Sequence, residues 1–295
     1  NVSLAGERGI PCIDIGKKCN VNLQITGENE LRTGGIRVPD SSVLTVVGDG
    51  NLTINLNSGK YFGIGNSLDE YHGELNFYQD GGIIINANGM KGIGIGSGLG
   101  GVINIKRGHY EFDMKGQEGA CIGSVNGDSE LFIEYCDMDI YSGISNGTII
   151  GSVNGDADIK LENISAKLQG AGNIITGIGT IAGNSCMVRL ENVNISSNIR
   201  AKECYGIGCR AGRTNIYIGY AAVKSVVQGK AAVAFGNSIM SAKLYCSNAD
   251  IGTNAVTEFN SDIGALEKNI QLENGRAEFI LNGQEVKRQI LAARL

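Results

Sequence analysis

Several residue types on which common functional sites depend are scarce or missing in this sequence. It contains no Trp, two Pro and two His among its 295 residues. His72 and His109 alone argue against a His-based catalytic triad and against a His-rich metal site. The motifs of serine hydrolases, cysteine proteases and zinc proteases are also missing. The sequence therefore predicts no metal site built on histidine and no familiar hydrolase centre.

Positive charge is sparse as well. The formal net charge is −5 at pH 7, and no run of Lys and Arg exceeds two residues. This excludes the basic footprint of a nucleic-acid-binding protein. No stretch approaches 18 uninterrupted apolar residues, so no membrane insertion is expected. The chain starts at Asn1 rather than Met, which suggests a mature or excised form and leaves the question of a signal peptide open.

The eight cysteines are spread irregularly along the chain. Cys12 with Cys19, and Cys204 with Cys209, are the pairs that lie close in sequence. Cysteine is among the most frequently buried residues, so packed thiols are the favoured interpretation, with one or two disulfides as the alternative. No CxxC pair supports zinc. The full set is Cys12, Cys19, Cys121, Cys136, Cys186, Cys204, Cys209 and Cys246.

What the sequence has in abundance is glycine, and the glycine recurs with a period. Glycine accounts for 45 residues, and many follow a small or apolar residue at nearly constant spacing, which is the mark of a repeat protein. These anchor glycines are Gly65, Gly96, Gly123, Gly151, Gly179, Gly208 and Gly236. Gly35 and Gly264 extend the series at its two ends, so about eight or nine coils of about 28 residues are expected. A glycine in a strand or corner permits sharp bending and close stacking, so we interpret the series as structural.

An alternating apolar triplet follows most anchors after about eight residues. Alternation with a period of two indicates a strand whose first and third residues point inward. The triplets are 103–105, 131–133, 159–161, 188–190 and 216–218. Leucine-rich, helical and propeller repeats do not fit this length and pattern. The sequence therefore predicts an all-β, single-stranded, right-handed parallel β-helix, the handedness following from the general bias of parallel crossovers.

The ends of the chain differ from the repeats. We expect residues 1–31 to form an N-terminal cap or first irregular coil, and residues 32–265 to form the coils. In residues 266–295 we expect a C-terminal cap, with a hairpin around Asn282 and Gly283 and a short amphipathic helix from Glu285 to Leu295.

Several runs resemble the Gly-rich β-helix modules of bacterial surface proteins, especially those of anaerobic Gram-positive bacteria. These runs are LTVVGDGNLTI from Leu44, GIG from Gly63, GIGIGSG from Gly92 and GVINI from Gly101. More loosely, the coils are similar to the pectin-lyase-like superfamily. The resemblance implies the fold more than a function, because this fold serves lyases, glycosidases, adhesins and passive stalks.

Outward side chains beside the triplets are the candidates for function. Equivalent residues of stacked coils lie about 4.8 Å apart. One expected row reads Lys106, Glu134, Glu162, Glu191 and Gly219. Three neighbouring carboxylates could supply a general acid and base, or hold a divalent cation such as Ca²⁺. These three glutamates are therefore candidates for catalysis. Apart from the Ca²⁺ alternative, no cofactor is expected.

A second row on the same face supplies the candidates for ligand binding. It reads Asn104, Phe132, Lys160, Arg189 and Tyr217. Aromatic side chains beside carboxylates and amides suit sugar recognition, so Phe132, Lys160, Arg189 and Tyr217 are the predicted ligand contacts. The competing interpretation is a solvated face in which Lys160 and Arg189 pair with Glu162 and Glu191.

Two further pairs of polar residues recur at equivalent positions. Asp128 and Asp156 follow Asn-Gly turns, where the carboxylate commonly bonds local backbone; paired carboxylates for calcium or for acid–base catalysis are the alternative. Asn163 and Asn192 follow the glutamates and suggest an amide ladder at a corner.

Three hypotheses for function follow. The first is a noncatalytic extracellular or cell-surface module that binds a polysaccharide or glycan or mediates adhesion. The second is a polysaccharide lyase or glycoside hydrolase that uses carboxylates on the outer face. The third is a fibre-like assembly protein. Oligomeric state is not readable from these patterns.

Overall fold

A computed structural model describes residues 1–7, 9–259, 263, 270–286 and 291–292 of the chain. It is an all-β structure, a parallel β-solenoid of about ten turns with about 28 residues per turn. The predicted fold class is confirmed. Among the described residues, no helix is long and apolar enough to cross a membrane.

The strands form one continuous hydrogen-bonded sheet that wraps round the coil, and the longest strands pass through its corners. In chain order they are β1 (Val2–Ala5), β2 (Ile13–Asp14), β3 (Asn20–Ile25), β4 (Glu28–Arg32), β5 (Ile36–Arg37), β6 (Val43–Gly48), β7 (Asn51–Gly65), β8 (Glu74–Ser97), β9 (Gly100–Ser124), β10 (Asp128–Glu134), β11 (Cys136–Ser152), β12 (Ala157–Glu162), β13 (Ser165–Glu191), β14 (Asn194–Gly219), β15 (Ala222–Gly236), β16 (Ala242–Ser247), β17 (Asp250–Phe259), β18 (Ile270–Glu273), β19 (Arg276–Leu281), β20 (Gln284–Glu285) and β21 (Leu291–Ala292).

The apolar triplets build one side of the core. Leu131 lies directly opposite Ile103 in the preceding coil and Ile159 in the following one. These side chains are fully buried, and they belong to one apolar cluster that runs the length of the stack. Each inward row is thus a ladder of branched side chains in contact, which is the arrangement that an alternating pattern predicts.

The anchor glycines stack on one another from Gly65 to Gly236. All seven have positive φ, between +99° and +142°, a conformation that disfavours side chains with a Cβ. At Gly151 a Cβ atom would lie 1.9 Å from the carbonyl oxygen of Gly179. Their structural interpretation therefore has a steric cause. The prediction for Gly35 is wrong, because Arg37 lies opposite Gly65 instead; Gly264 lies outside the described residues.

The amino-terminal segment is already part of the stack. Val2 of β1 lies opposite Asn29 of β4, and Asn20 of β3 lies opposite Val43 of β6, both in parallel register. The segment expected as a cap or irregular coil therefore forms a paired first turn. Paired segments at both ends thus extend the stack to about ten turns, where the glycine spacing predicted eight or nine.

At the carboxyl end, a hairpin closes the last described coils. Strand β19 pairs with β20 in antiparallel register, Ile280 opposite Glu285. Asn282 and Gly283 both have positive φ, as the two central residues of a type I′ turn require. The hairpin lies where it was predicted. The prediction of a helix from Glu285 onward is wrong for Leu291–Ala292, which form the short strand β21 parallel to β18. Residues 287–290 and 293–295 of the predicted helix lie outside the described residues.

All eight cysteines are free thiols, and six of them are buried. Burial raises the pKa of Cys121 and Cys136 to about 12 and that of Cys204 to about 11. No disulfide joins Cys12 to Cys19 or Cys204 to Cys209. The interpretation of the cysteines as packed thiols is confirmed for the six buried ones.

Candidate functional site

The predicted carboxylate row exists. Glu134 lies opposite Glu162, Glu162 opposite Glu191, and Glu191 opposite Gly219. We call the outer side of strands β10 and β12, with the in-register ends of β13 and β14, the carboxylate face. The alternation of the triplet strands fixes this geometry, because the residues between the inward ones must point to solvent.

Two of the three glutamates are neutralised by lysines. Lys106 Nζ lies 2.8 Å from Glu134 Oε1, and Lys160 Nζ lies 2.6 Å from Glu162 Oε2. The hydrogen bond from its ammonium to Glu162 raises the pKa of Lys160. The two ammonium groups thus relieve most of the repulsion between the glutamates. That repulsion would have been the simplest way to keep one carboxyl group protonated at neutral pH.

The predicted pairing of Arg189 with Glu191 is wrong. Arg189 Nη1 contacts Asp158 Oδ1 of the preceding coil at 2.6 Å. Asp158 lies on the same face, opposite Met187, so the guanidinium reaches back along the stack instead of along its own strand. Within the described part of the chain, Glu191 has no ion pair. Gly219 beside it leaves the space that this carboxylate occupies.

The ligand-binding candidates also form a row. Phe132 lies opposite Lys160, Lys160 opposite Arg189, and Arg189 opposite Tyr217. Sequence reasoning missed the next member, Tyr245, whose ring stacks on Tyr217 with centroids 5.0 Å apart and planes 6° apart. The residue was detectable, since Leu244-Tyr245-Cys246 repeats the alternating triplet one coil further on.

Two more exposed aromatic residues lie at the corner that borders this face. Tyr135 is 61 % exposed and Tyr220 is 64 % exposed, each directly after the end of its strand. Both have positive φ, 51° and 47°, in the left-handed region that suits Asn and Gly far better than Tyr. The sequence could have indicated them, because Tyr135 and Tyr220 stand where Asn163 and Asn192 stand in the two coils between.

The amide ladder at this corner exists. Asn192 Nδ2 donates to Asn163 Oδ1 at 2.6 Å. Both residues have φ near 50°, and each backbone N–H donates to the carbonyl that closes the next coil's strand, those of Glu191 and Gly219. The asparagines therefore hold the corner, in agreement with their structural interpretation.

Asp128 and Asp156 use their carboxylates on the backbone of the following coil. Asp128 Oδ1 accepts the N–H of Asp156 at 2.8 Å, and Asp156 Oδ1 accepts the N–H groups of Asn184 and Ser185 at 2.7 and 3.0 Å. The carboxylates thus serve backbone groups, as the turn interpretation expects, but the bonds link adjacent coils instead of remaining local to each turn. They border an open groove of about 800 Å³ that also includes Glu130. Nowhere in the described ranges is a group of three or more His, Cys, Asp or Glu arranged to hold a metal ion.

No family model, curated protein or solved structure matches this chain. The geometry of its own residues is therefore the ground for any functional assignment.

Proposed function

We propose that this protein is an extracellular or cell-surface β-solenoid module that binds carbohydrate on the carboxylate face. One observation carries the proposal. The aromatic pair Phe132 and Tyr135 recurs as Tyr217 and Tyr220 at equivalent positions three coils further along the stack. Aromatic rings with an apolar surface and a polar edge suit the alternating apolar and hydroxyl surfaces of sugars.

The surface between the two aromatic pairs is polar. Three coil steps separate them by about 14 Å. Lys160, Arg189, Glu162 and Glu191 fill this interval, and all are at least partly exposed. They supply both donors and acceptors for hydroxyl groups. A glycan lying along the stack would meet rings at both ends and hydrogen-bonding groups between them.

The backbone at the two corner tyrosines supports the same proposal. A non-glycine residue in the left-handed region costs roughly 1 to 2 kcal/mol, and such strain concentrates at binding and catalytic sites. Asn holds this corner in the neighbouring coils at lower cost. Tyr135 and Tyr220 bury little surface in return for the strain, so a role on the outside of the protein explains their presence.

The proposed location follows from the proposed ligand, since extended polysaccharides occur at cell surfaces and outside cells. The resemblance to surface β-helix modules of anaerobic Gram-positive bacteria and to the pectin-lyase-like superfamily agrees with it. Adhesion to glycan-bearing surfaces is the corresponding biological role. Fractionation of the source cells, with the protein detected by antibody, tests the location.

A second candidate, hydrolysis or lyase cleavage of the bound polysaccharide, is favoured by Glu191. This carboxylate without an ion pair stacks on Glu162, whose charge is matched by Lys160. Their backbone positions lie about 4.8 Å apart, a spacing that allows the two carboxyl groups to reach the 5 to 5.5 Å separation of retaining glycosidases. To test this candidate, the protein is incubated with the polysaccharide that the glycan array identifies. New reducing ends would indicate hydrolysis, and unsaturated products would indicate lyase cleavage. Turnover that Glu191→Gln abolishes would establish an enzyme.

The binding proposal is tested with a glycan array followed by calorimetry on each hit. We expect the double variant Phe132→Ala/Tyr217→Ala to weaken binding at least tenfold, because it removes a ring at each end of the face. Val256→Ala is the control, since Val256 is also an exposed apolar side chain but lies on β17, which is not part of the carboxylate face. Unchanged affinity in the double variant, or the absence of any glycan ligand, would overturn the proposal.

A further inference from the structure

A second polar surface lies on another side of the coil, where strands β7, β8, β9 and β11 pass in register. One row of outward residues there reads Arg32, Asn55, Asn86, Asp113 and Tyr141. Two residues further along each strand, a parallel row reads Asn57, Asn88, Lys115 and Gly143. Tyr141 and Gly143 lie one coil beyond the other members of the rows, which border an open groove of about 490 Å³. We call it the amide trough.

The amides of the first row are held in fixed orientations. Asn86 Nδ2 donates to Asn55 Oδ1 at 3.0 Å, and Asn55 Nδ2 donates to Glu30 Oε1 at 2.8 Å. This chain leaves the carbonyl oxygen of Asn86 as an oriented acceptor in the trough. An amide oriented by a neighbour loses less conformational freedom when it binds a ligand than a free one does.

The second row presents amides that have no hydrogen-bond partner among the described residues. The side chains of Asn57 and Asn88 are exposed, and neither makes a hydrogen bond within the described part of the chain. Each offers one carbonyl acceptor and two N–H donors to whatever lies in the trough. Two adjacent rows that carry amides can therefore satisfy hydroxyl groups, which both donate and accept.

One end of the trough carries an aromatic ring. Lys115 Nζ lies 6.0 Å from the centroid of Tyr141, which is partly exposed. Gly143 lies beside the ring and has no side chain; a Cβ atom there would lie 3.2 Å from Lys115 Cγ and 3.4 Å from Tyr141 Cε1. Tyr141 thus lies where the amide rows end, with the ammonium of Lys115 over one face of its ring.

The charges bordering the trough cancel in pairs. Arg32 Nη2 lies 2.6 Å from Glu30 Oε2, and Lys115 Nζ lies 3.0 Å from Asp113 Oδ2. A charged ligand would find no excess of opposite charge here, and it would have to displace one member of a pair. An uncharged ligand rich in hydroxyl groups meets no such cost.

We propose that the amide trough is a second carbohydrate site, which takes an uncharged polysaccharide chain lying along the axis of the stack. From Asn55 to Tyr141 the site covers three coil steps, about 14 Å. The inference rests on the proposed function because both name carbohydrate as the ligand. The trough itself is independent, since it shares no residue with the carboxylate face. Two sites on different sides of one rigid stack would let a single molecule bridge two polysaccharide chains or bind one surface with avidity.

Affinity electrophoresis tests the proposal with soluble galactomannan, arabinoxylan and mixed-linkage β-glucan in the gel, and with polygalacturonate as the charged comparison. We expect retardation of the protein by at least one uncharged polymer. The variants Asn57→Ala/Asn88→Ala and Tyr141→Ala should raise the Kd for that polymer at least tenfold. Asn198→Ala is the matched control, because it lies two coils further along the row of Tyr141 and outside the trough.

The outcomes separate the two sites. If the trough variants lose retardation while Phe132→Ala/Tyr217→Ala keeps it, the trough is the site for uncharged polymers. If only the carboxylate-face variant loses it, the trough proposal is overturned and the carboxylate face stands. No retardation by any uncharged polymer also overturns the trough proposal, while hits on the glycan array still decide the carboxylate face. Thermal unfolding of each variant identifies any loss that comes from misfolding.

Discussion

Arg189 binds Asp158 of the preceding coil, with Nη1 and Oδ1 2.6 Å apart, and does not bind Glu191 of its own strand. The surface of a stack offers each long side chain partners above, below and along the strand at similar distances. Because Arg189 pairs with Asp158, Glu191 has no ion pair among the described residues, unlike Glu134 and Glu162 in the same row. The pairing of Arg189 thereby decides where an incoming ligand meets an uncompensated charge.

Two neighbouring aspartates should differ sharply in what they contribute to stability. Asp158→Asn is expected to change the free energy of unfolding by less than about 1 kcal/mol, because its pair with Arg189 is about half exposed. Asp156→Asn should cost roughly 1 to 3 kcal/mol, because it weakens two charge-assisted bonds to backbone N–H groups of the next coil. Urea unfolding monitored by circular dichroism compares the two. Equal effects would contradict the assignment of Asp156 as a turn residue.

Substitution of an anchor glycine should be among the most damaging changes in the chain. Gly151→Ala places a Cβ atom 1.9 Å from the carbonyl oxygen of Gly179 and keeps a φ of +133°. We expect a loss of more than about 3 kcal/mol, or failure to fold. Gly252→Ala is the control, since nothing lies within 4 Å of its Cβ position and its φ is ordinary. That variant should be neutral or up to about 1 kcal/mol more stable, which urea midpoints will show.

Restoring asparagine at the strained corner should stabilise the protein. In Tyr135→Asn the new amide would stand next to Asn163 at a φ of 51°, which Asn tolerates much better than Tyr does. We expect a gain of about 1 kcal/mol in the free energy of unfolding together with weaker glycan binding. Tyr135→Phe is the control, because it keeps the ring and the strain and should change stability little. A loss of stability in Tyr135→Asn would show that the tyrosine ring packs usefully in the folded state.

The sequence predicted the features that depend on period and burial. Inward residues such as Leu131 and anchors such as Gly151 follow from steric rules that admit few alternatives. Gly35 was misplaced because Arg37, not a glycine, occupies the anchor position one coil before Gly65, and only backbone pairing shows this. The amide trough was not predicted, since Asn57 and Asn88 lie outside the apolar triplets on which the candidate rows were based, although burial alternates through their strands as well.

The same limit applies to the candidate site. Register placed Glu134, Glu162 and Glu191 in one row correctly, because the apolar triplets fix it. The partner of Arg189 could not be predicted, since it depends on the rotamer of a long exposed side chain. The strain at Tyr135 is a backbone property, although the asparagine in the next coil indicated the type of corner.

Thiol labelling should divide the cysteines into two classes. Cys19 is exposed and Cys12 is partly exposed, whereas the other six are buried, and burial raises the pKa of Cys246 to about 12. Because the thiolate is the reactive form, iodoacetamide at pH 8 should modify at most two thiols of the folded protein. Intact-protein mass spectrometry counts the adducts, and labelling in urea should give eight. Rapid native labelling at Cys246 would contradict the described packing.

The buried His72 should make folding stability depend on pH below neutrality. Its Nδ1–H donates to the carbonyl of Gly73, and Nε2 is buried without a hydrogen-bond partner among the residues that the structure describes. Loss of hydration lowers the pKa of His72 from 6.5 to about 4. The unfolded chain therefore takes up this proton first as the pH falls, which stabilises the unfolded state. The contribution is fully present above about pH 6.5 and is lost progressively down to about pH 4, in total roughly 3 kcal/mol.

Urea unfolding at intervals from pH 7 to pH 4 measures this dependence, and His72→Gln isolates it from the titration of carboxylates in the same range. The variant is expected to be less stable at pH 7, because the buried ring packs closely, but to lose less stability than the wild type as the pH falls. His109→Gln is the control, since His109 is exposed and its substitution should leave the slope unchanged. If His72→Gln shows the wild-type slope, the imidazole is hydrated in the folded protein and is not buried as described.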